Sequence, residues 1–390
     1  MSNTFIPLSV PVLEGNEWPY VKECLDTGWI STAGPFVTRF EEAICAFTGS
    51  PYATACASGT AALHVALLLA GVQPGEEVIV PTLTFIAPIN AVRYVQAEPV
   101  FMDSDPYFNI DVEKTLHFIE TETVYRDGQT FNKKTGRRIA AIIPVHVFGN
   151  PVDLQPLIER CQERSIFVIE DASESLGATY TTGALKGRMT GTIAPIGVYS
   201  FNGNKIISSG GGGMLVAQDA KLAEKATYLT TQAKDDAVRY VHHEIGYNYR
   251  LTNVQAALGV AQLEQLPEYI RRKKVIYESY SQKLAAIEGL HLAETPPYGM
   301  PNYWLMCLQI NSSKYGIDRE GVMRLLKENN IQSRPVWYPN HLQTPYKECQ
   351  SYCIELAEEL CSHTLNIPCS VNLTQDDISH VIKVLKITDL

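Results

Sequence analysis

Short apolar runs alternate with stretches of helical spacing through the first two thirds of this chain, and each run is closed by glycine, proline or a polar turn. That alternation constrains the fold more than any other feature. Strands that are apolar throughout must be covered on both faces, and helices returning between them make the strands parallel. The readable runs are a buried helix over Leu63 to Ala70 and strands over Glu77 to Val80, Ala140 to Val147, Ser165 to Ile169, Ile196 to Phe201 and Met214 to Ala217. Helical spacing returns over Leu154 to Arg164. Hydrophobic residues make up 45% of the 390, enough for a sizeable core. The expected fold is α/β.

Two segments depart from the rhythm. Glu120 to Arg138 is polar and turn-rich, which predicts an exposed hairpin or loop. From about Ala256 a long helical pattern runs past Pro267 into Arg271-Arg272-Lys273-Lys274, expected to be a solvated helix face. We therefore expect a large domain over residues 1–255 with a mostly parallel central sheet, and a smaller C-terminal α+β domain over 256–390.

Several function classes are disfavoured. The net charge of −10 argues against a nucleic-acid binder, which needs a basic footprint. No apolar stretch is long enough for a membrane span, and no basic-then-apolar leader is visible at the start, so a cytoplasmic protein is expected. The nine cysteines contain no C-x-x-C pair and fit neither a zinc site nor a disulfide framework. Cys349 and Cys353 read as sharing one side of a helix. No metal is expected. Neither G-x-x-x-x-G-K-[ST] nor a strand-linked G-x-G-x-x-G is present, which argues against a Walker nucleotidase and a nicotinamide-dependent Rossmann enzyme.

In an open α/β sheet, ligands bind beyond the carboxyl ends of strands. Three such places carry chemistry. Ser58-Gly59-Thr60 opens a helix, where free amides and the helix dipole suit a phosphate; taken alone, an ordinary helix cap is the favoured reading. Glu170-Asp171 ends an apolar strand, where a carboxylate needs a partner. Ser200 to Lys205 ends another, where a lysine can have a lowered proton affinity and form a Schiff base. Asp171 and Lys205 are separated by 34 residues, a plausible strand–helix–strand excursion. Phosphate cradle, buried aspartate and lysine, in that order, are what a pyridoxal 5'-phosphate enzyme of the aspartate-aminotransferase fold (fold type I) requires.

The wider motifs carry a resemblance. They are Gly28-Trp29-Ile30-Ser31, Ser58 to Leu63, Pro81 to Phe85, Pro144 to Gly149, Glu170 to Glu174, Ser200 to Lys205 and Gly246 to Arg250. Taken jointly they resemble the DegT/StrS sugar aminotransferases over nearly the whole chain. The resemblance implies that Lys205 is the catalytic Schiff-base lysine and shuttles protons, and that Asp171 partners the pyridine nitrogen. It implies that Gly59, Thr60 and Ser200 contact the phosphate and that Phe85 stacks on the ring. It implies that Asn248 reaches the cofactor of a neighbouring subunit, and hence a homodimer with shared sites. Arg250 is then a contact for the anionic or sugar part of the substrate, with Trp29 and His341 also at the substrate. His146 reads as a packed core histidine or a pocket wall.

The chain also departs from the pattern. Asn202 stands where the family often has histidine, and Glu174 stands where glutamine or histidine commonly bonds the cofactor's phenolic oxygen. A carboxylate there would repel a phenolate unless one of them holds a proton. These departures, with the Glu120 to Arg138 insertion and Gly210 to Gly213, look like the legionaminic-acid-pathway subgroup. That subgroup implies transfer of an amino group, with glutamate as donor, to C4 of UDP-4-keto-6-deoxy-N-acetylglucosamine. The alternatives are a sugar 3-aminotransferase, a dehydratase of the same fold, or a non-catalytic regulator. Dehydratases in the family carry histidine in place of the lysine, so Lys205 argues against that one.

Overall fold

The computed structural model describes residues 5–236 and 238–386. Its centre is an eight-stranded sheet. Seven of its strands come early in the chain: β1 (Tyr52–Cys56), β2 (Glu77–Pro81), β3 (Glu98–Met102), β4 (Ile139–Ile142), β5 (Phe167–Asp171), β6 (Ile196–Ser200) and β7 (Gly213–Ala217). They lie in the order β1-β7-β6-β5-β4-β2-β3, and Ser351–Tyr352 adds to the β3 edge. All neighbours pair in parallel except on either side of β7. The carboxyl ends of β1, β2, β5 and β6 therefore share one edge of the sheet. Strand β7 runs the other way and so begins at that edge, which brings the Gly210 to Gly213 run there.

The sheet interior is apolar on both faces, as parallel strands require. Val78, Ile79, Val80, Val198, Leu215 and Val216 are fully buried. The helix Gly59–Leu69 is nearly all apolar and lies buried against the sheet. A second sheet, with the order Leu290–Leu292, Met306–Ile310, Thr364–Ile367, Arg334–Pro335, is antiparallel and has its own apolar cluster around Leu308, Leu365 and Val381. The helix Asn253–Leu284 joins the two clusters: Ala256 to Tyr269 pack in the first, Ile276 to Leu284 in the second. The expected boundary at residue 255 falls in the first turn of this helix. Residues 123–132 form an exposed-edged hairpin of Thr123–Arg126 and Gln129–Asn132.

Three details differ from expectation. The strand anticipated over Ala140 to Val147 is regular only to Ile142, because Pro144 has no N–H to continue the ladder. Cys349 and Cys353 share no helix: the Phe101 N–H donates to the Gln350 carbonyl at 2.8 Å, which draws Ser351–Tyr352 into the sheet between them. Lys273 is buried, unlike its neighbours. Four consecutive helical residues sweep most of a turn and cannot all face solvent. Arg271, Arg272 and Lys274 pair with glutamates at the surface, while Lys273 Nζ donates to the Trp304 and Cys369 carbonyls at 2.7 and 2.6 Å. No helix among the described residues is long and apolar enough to cross a membrane. None of their histidines, cysteines and acids group to hold a metal ion.

Candidate active site

A cavity of about 710 Å³ opens at the shared strand edge. Its walls come from the chain just after β1, β2, β5 and β6, just before β7, and from the second sheet. Gly59, Thr60, Phe85, Asp171, Glu174, Ser200 and Lys205 all line it.

The helix that opens at Gly59 presents its first turn to the cavity, where amide groups have no partner within the helix. Ser58 caps it, accepting the Ala61 N–H at 3.0 Å. Space at this turn is tight. A β-carbon on Gly59 would lie 2.9 Å from Ser200 Cβ and 3.2 Å from Ser173 Oγ, and one on Gly213 would lie 2.5 Å from Gly59 N. Main-chain amides, Thr60 and two serine hydroxyls thus converge without an intervening side chain, and the donor set suits a phosphate.

Strand geometry sorts the two carboxylates of β5. Successive residues of a strand point to opposite faces. Asp171 faces the cavity, and its Oδ1 accepts the Ser173 N–H at 3.0 Å. Glu170 goes to the other side, where it accepts N–H groups from Gly191 and Ile193, both at 2.6 Å, and from Ala194. His146 completes that cage. Its Nδ1 accepts the Val152 N–H at 3.0 Å, so Nε2 carries the proton donated to Glu170 at 3.1 Å. His146 is therefore a core histidine, buried beneath the site.

Burial pushes the Asp171 carboxyl up, opposed by its bonds to Ser173 and by the nearby Lys205. A buried anion facing a cavity is short of a cation, and a protonated ring nitrogen would supply one. Burial also lowers Lys205, while the Glu174 and Asp171 carboxylates act in the opposite sense. Glu174 is pushed up to about 7 by burial, countered by Lys205 and by the Phe148 N–H, which donates to Oε2 at 2.8 Å. A buried carboxylate, a lysine with lowered proton affinity and a phosphate cradle in one cavity fit pyridoxal phosphate.

Other expected residues are elsewhere. Arg250 is held by Glu41, with contacts of 2.5 and 3.2 Å, and does not line the cavity. His341 joins the two parts of the chain, its Nδ1 2.7 Å from Thr82 Oγ1, and Trp29 is half exposed with its carbonyl bonded to Asn253. Neither lines the cavity. Asn248 is exposed. The wall instead includes residues we had not singled out: Ser173, Trp304 and Arg334, with Trp337 and Tyr338 from the aromatic turn before His341. Ser173 had a readable signal, since an aspartate two residues before a serine at a strand end favours an Asx turn. Trp304 and Arg334 had none, because long-range folding alone brings them here. Arg334 is exposed, and no ion pair engages it among the described residues.

The DegT/DnrJ/EryC1/StrS aminotransferase family matches residues 11–386. GDP-perosamine synthase of Caulobacter vibrioides is 38% identical over 385 residues, covering 97% of both chains. EpsN of Bacillus subtilis, described as a candidate pyridoxal phosphate-dependent aminotransferase, is 36% identical over 97% of this chain and 95% of its own. A solved DegT DnrJ EryC1 StrS aminotransferase from Brucella abortus is 28% identical, with a TM-score of 0.85 over 95% of this chain and 94% of its own. The chain belongs to the DegT/DnrJ/EryC1/StrS aminotransferase family and is a pyridoxal phosphate-dependent sugar aminotransferase of fold type I.

Proposed function

We propose that this enzyme moves an amino group from glutamate to C4 of a nucleotide-linked 4-keto-6-deoxy sugar, in the making of a surface glycan. The observation that carries the reading is the placing of Lys205 in one cavity with Asp171, Glu174 and the amides at Gly59 and Thr60. Pyridoxal phosphate, when bound, supplies an electron sink and a carrier for the amino group. The chain does the rest. Gly59, Thr60, Ser173 and Ser200 hold the phosphate. Asp171 holds the ring nitrogen protonated. Phe85, half exposed on the wall, would stack on the ring. Lys205 takes and returns the proton at Nζ.

An anionic substrate needs a positive contact in an acidic protein. Arg334 takes the place expected of Arg250, because it lines the cavity while Glu41 neutralises Arg250. Trp337 and Tyr338 give flat surfaces for a sugar or a base. Exposed Tyr240, Ile245 and Asn248 support a homodimer in which Asn248 reaches the partner's cavity. The two apolar clusters support a two-domain reading divided within the helix Asn253–Leu284. The nine free thiols support a reducing compartment, the cytoplasm.

The subgroup resemblance favours UDP-4-keto-6-deoxy-N-acetylglucosamine. The Caulobacter relative's name favours a GDP-linked sugar as a second reading. Turnover of UDP- and GDP-linked 4-keto-6-deoxy sugars with glutamate, scored by product mass, separates them. No amino product from any such sugar would overturn the proposal.

A further inference from the structure

The Lys205 ammonium lies over an aromatic face. Its Nζ is 4.0 Å from the centroid of the Trp304 ring, and Trp304 is buried. A ring face carries negative potential and attracts an ammonium, most strongly where water is excluded. It favours the charged amine where burial disfavours it. It also forms a wall against which the flexible lysine stem rests.

Trp304 is itself tied to both segments that carry the cavity's charges. Its Nε1 donates to the Asn204 carbonyl at 2.6 Å, in the turn that presents Lys205. Its N–H donates to Asn302 Oδ1 at 3.0 Å, and Asn302 Nδ2 donates to the Glu174 and Leu176 carbonyls at 2.9 and 3.0 Å. Its carbonyl accepts from Lys273 Nζ at 2.7 Å. Lys273 lies outside the cavity, and its two hydrogen-bond acceptors are main-chain carbonyls. A buried ammonium costs more than an apolar side chain of the same volume. Here it anchors the segment that carries the ring.

We propose that Trp304 is a positioning residue that fixes the place and proton affinity of Lys205, and that Lys273 positions Trp304. This rests on the reading of Lys205 given above, and its test is independent of turnover. The apoprotein is treated with acetic anhydride over a pH series, and Lys205 acetylation is followed by mass spectrometry. The midpoint of the rate profile reports proton affinity: a merely structural loosening that admits water would move it to higher pH, since burial is the largest cause of the lowered affinity of Lys205, whereas loss of the ring face moves it to lower pH. In Trp304→Leu the midpoint moves to lower pH, and the share of reactive amine at neutral pH rises about tenfold. Lys273→Met shifts it in the same direction by less. Trp304→Phe keeps a ring but loses the bond to Asn204, and it gives a smaller shift if the leucine variant does not fold. Circular dichroism identifies the folded variants. An unchanged or raised midpoint in folded Trp304→Leu or Trp304→Phe overturns the first link. An unchanged midpoint in Lys273→Met, or in Lys273→Gln should the methionine variant not fold, overturns the second.

Discussion

Glu174 Oε1 stands 3.8 Å from Lys205 Nζ, inside a cavity wall where both side chains are largely buried. Each group's protonation therefore depends on the other's. The carboxyl is pushed up to about 7 and the amine is pushed down, both chiefly by loss of water. A neutral carboxylic acid in this position would face a phenolic oxygen without repelling it.

The pH dependence of the apoprotein follows from that pair. Glu174 binds its proton more tightly folded than unfolded. Its contribution to stability is therefore best below about pH 4.5, falls as pH rises, and is at its worst above about 7. Each pH unit of that window costs up to about 1.4 kcal/mol. Glu174→Gln should remove this component, so its gain in Tm over wild type should be larger at pH 8 than at pH 5. An equal Tm difference at both values would contradict the assignment.

Removing the amine should end the reaction. Lys205→Ala is expected to lose the visible absorbance band of the bound cofactor and to lower kcat by at least about 10³, within the usual span of acid–base effects. Spectra and single-turnover assays check this together, and normal turnover would refute the role of Lys205.

Asp171→Asn should separate binding from chemistry. The phosphate cradle is untouched, so cofactor still binds by equilibrium dialysis. On the proposed role of Asp171 at the ring nitrogen, loss of its carboxylate should slow amino transfer by roughly 10²-fold or more. An unchanged rate would remove Asp171 from that role.

Arg334→Ala should act on binding. A charged hydrogen bond contributes about 1.5–3 kcal/mol, so KM for the anionic substrate it meets should rise about tenfold or more with kcat little changed. Measuring KM for glutamate and for the nucleotide sugar separately shows which anion it meets. Constant values for both would return the question to Arg250.

Crowding at the cradle predicts a further effect. In Gly59→Ala the new methyl meets Ser200 Cβ, a rigid atom, at 2.9 Å. Such overpacking costs about 1–3 kcal/mol. Cofactor affinity should fall alongside Tm, both readable by titration and melting of the holoenzyme and apoprotein.

Much of this was legible in the chain because it is local. The strand ends at Asp171 and Ser200, the helix start at Gly59 and the turn at Lys205 each follow from a few adjacent residues, and the parallel order follows from alternation. What stayed hidden depends on distant pairing. Lys273 reads as one of four surface cations until the helix turns it inward. Arg334 lies on the second sheet and Trp304 just before its Met306–Ile310 strand, and no periodicity records how that sheet docks. Arg250 looked like a free cation because Glu41, 209 residues away, is invisible as its partner. His341 lay in the right turn, but Trp337 and Tyr338 are the residues that turn toward the cavity.

The paired acids of β5 carry a consequence for how the chain can change. Glu170 and Asp171 are neighbours with the same chemistry and opposite destinations, one in the cage with His146, the other at the cavity. A slip of a single residue would turn each to the other side. Slipped one way, the cage would receive Asp171, one methylene short of its amides, and Ala172 would take the cavity position; slipped the other way, the cage would receive Ile169 and Glu170 would reach too far into the cavity. Single-residue insertions and deletions along Phe167–Asp171 are thus barred by parity as much as by packing, whereas the exposed turn at Asp127-Gly128 of the 123–132 hairpin carries no such constraint.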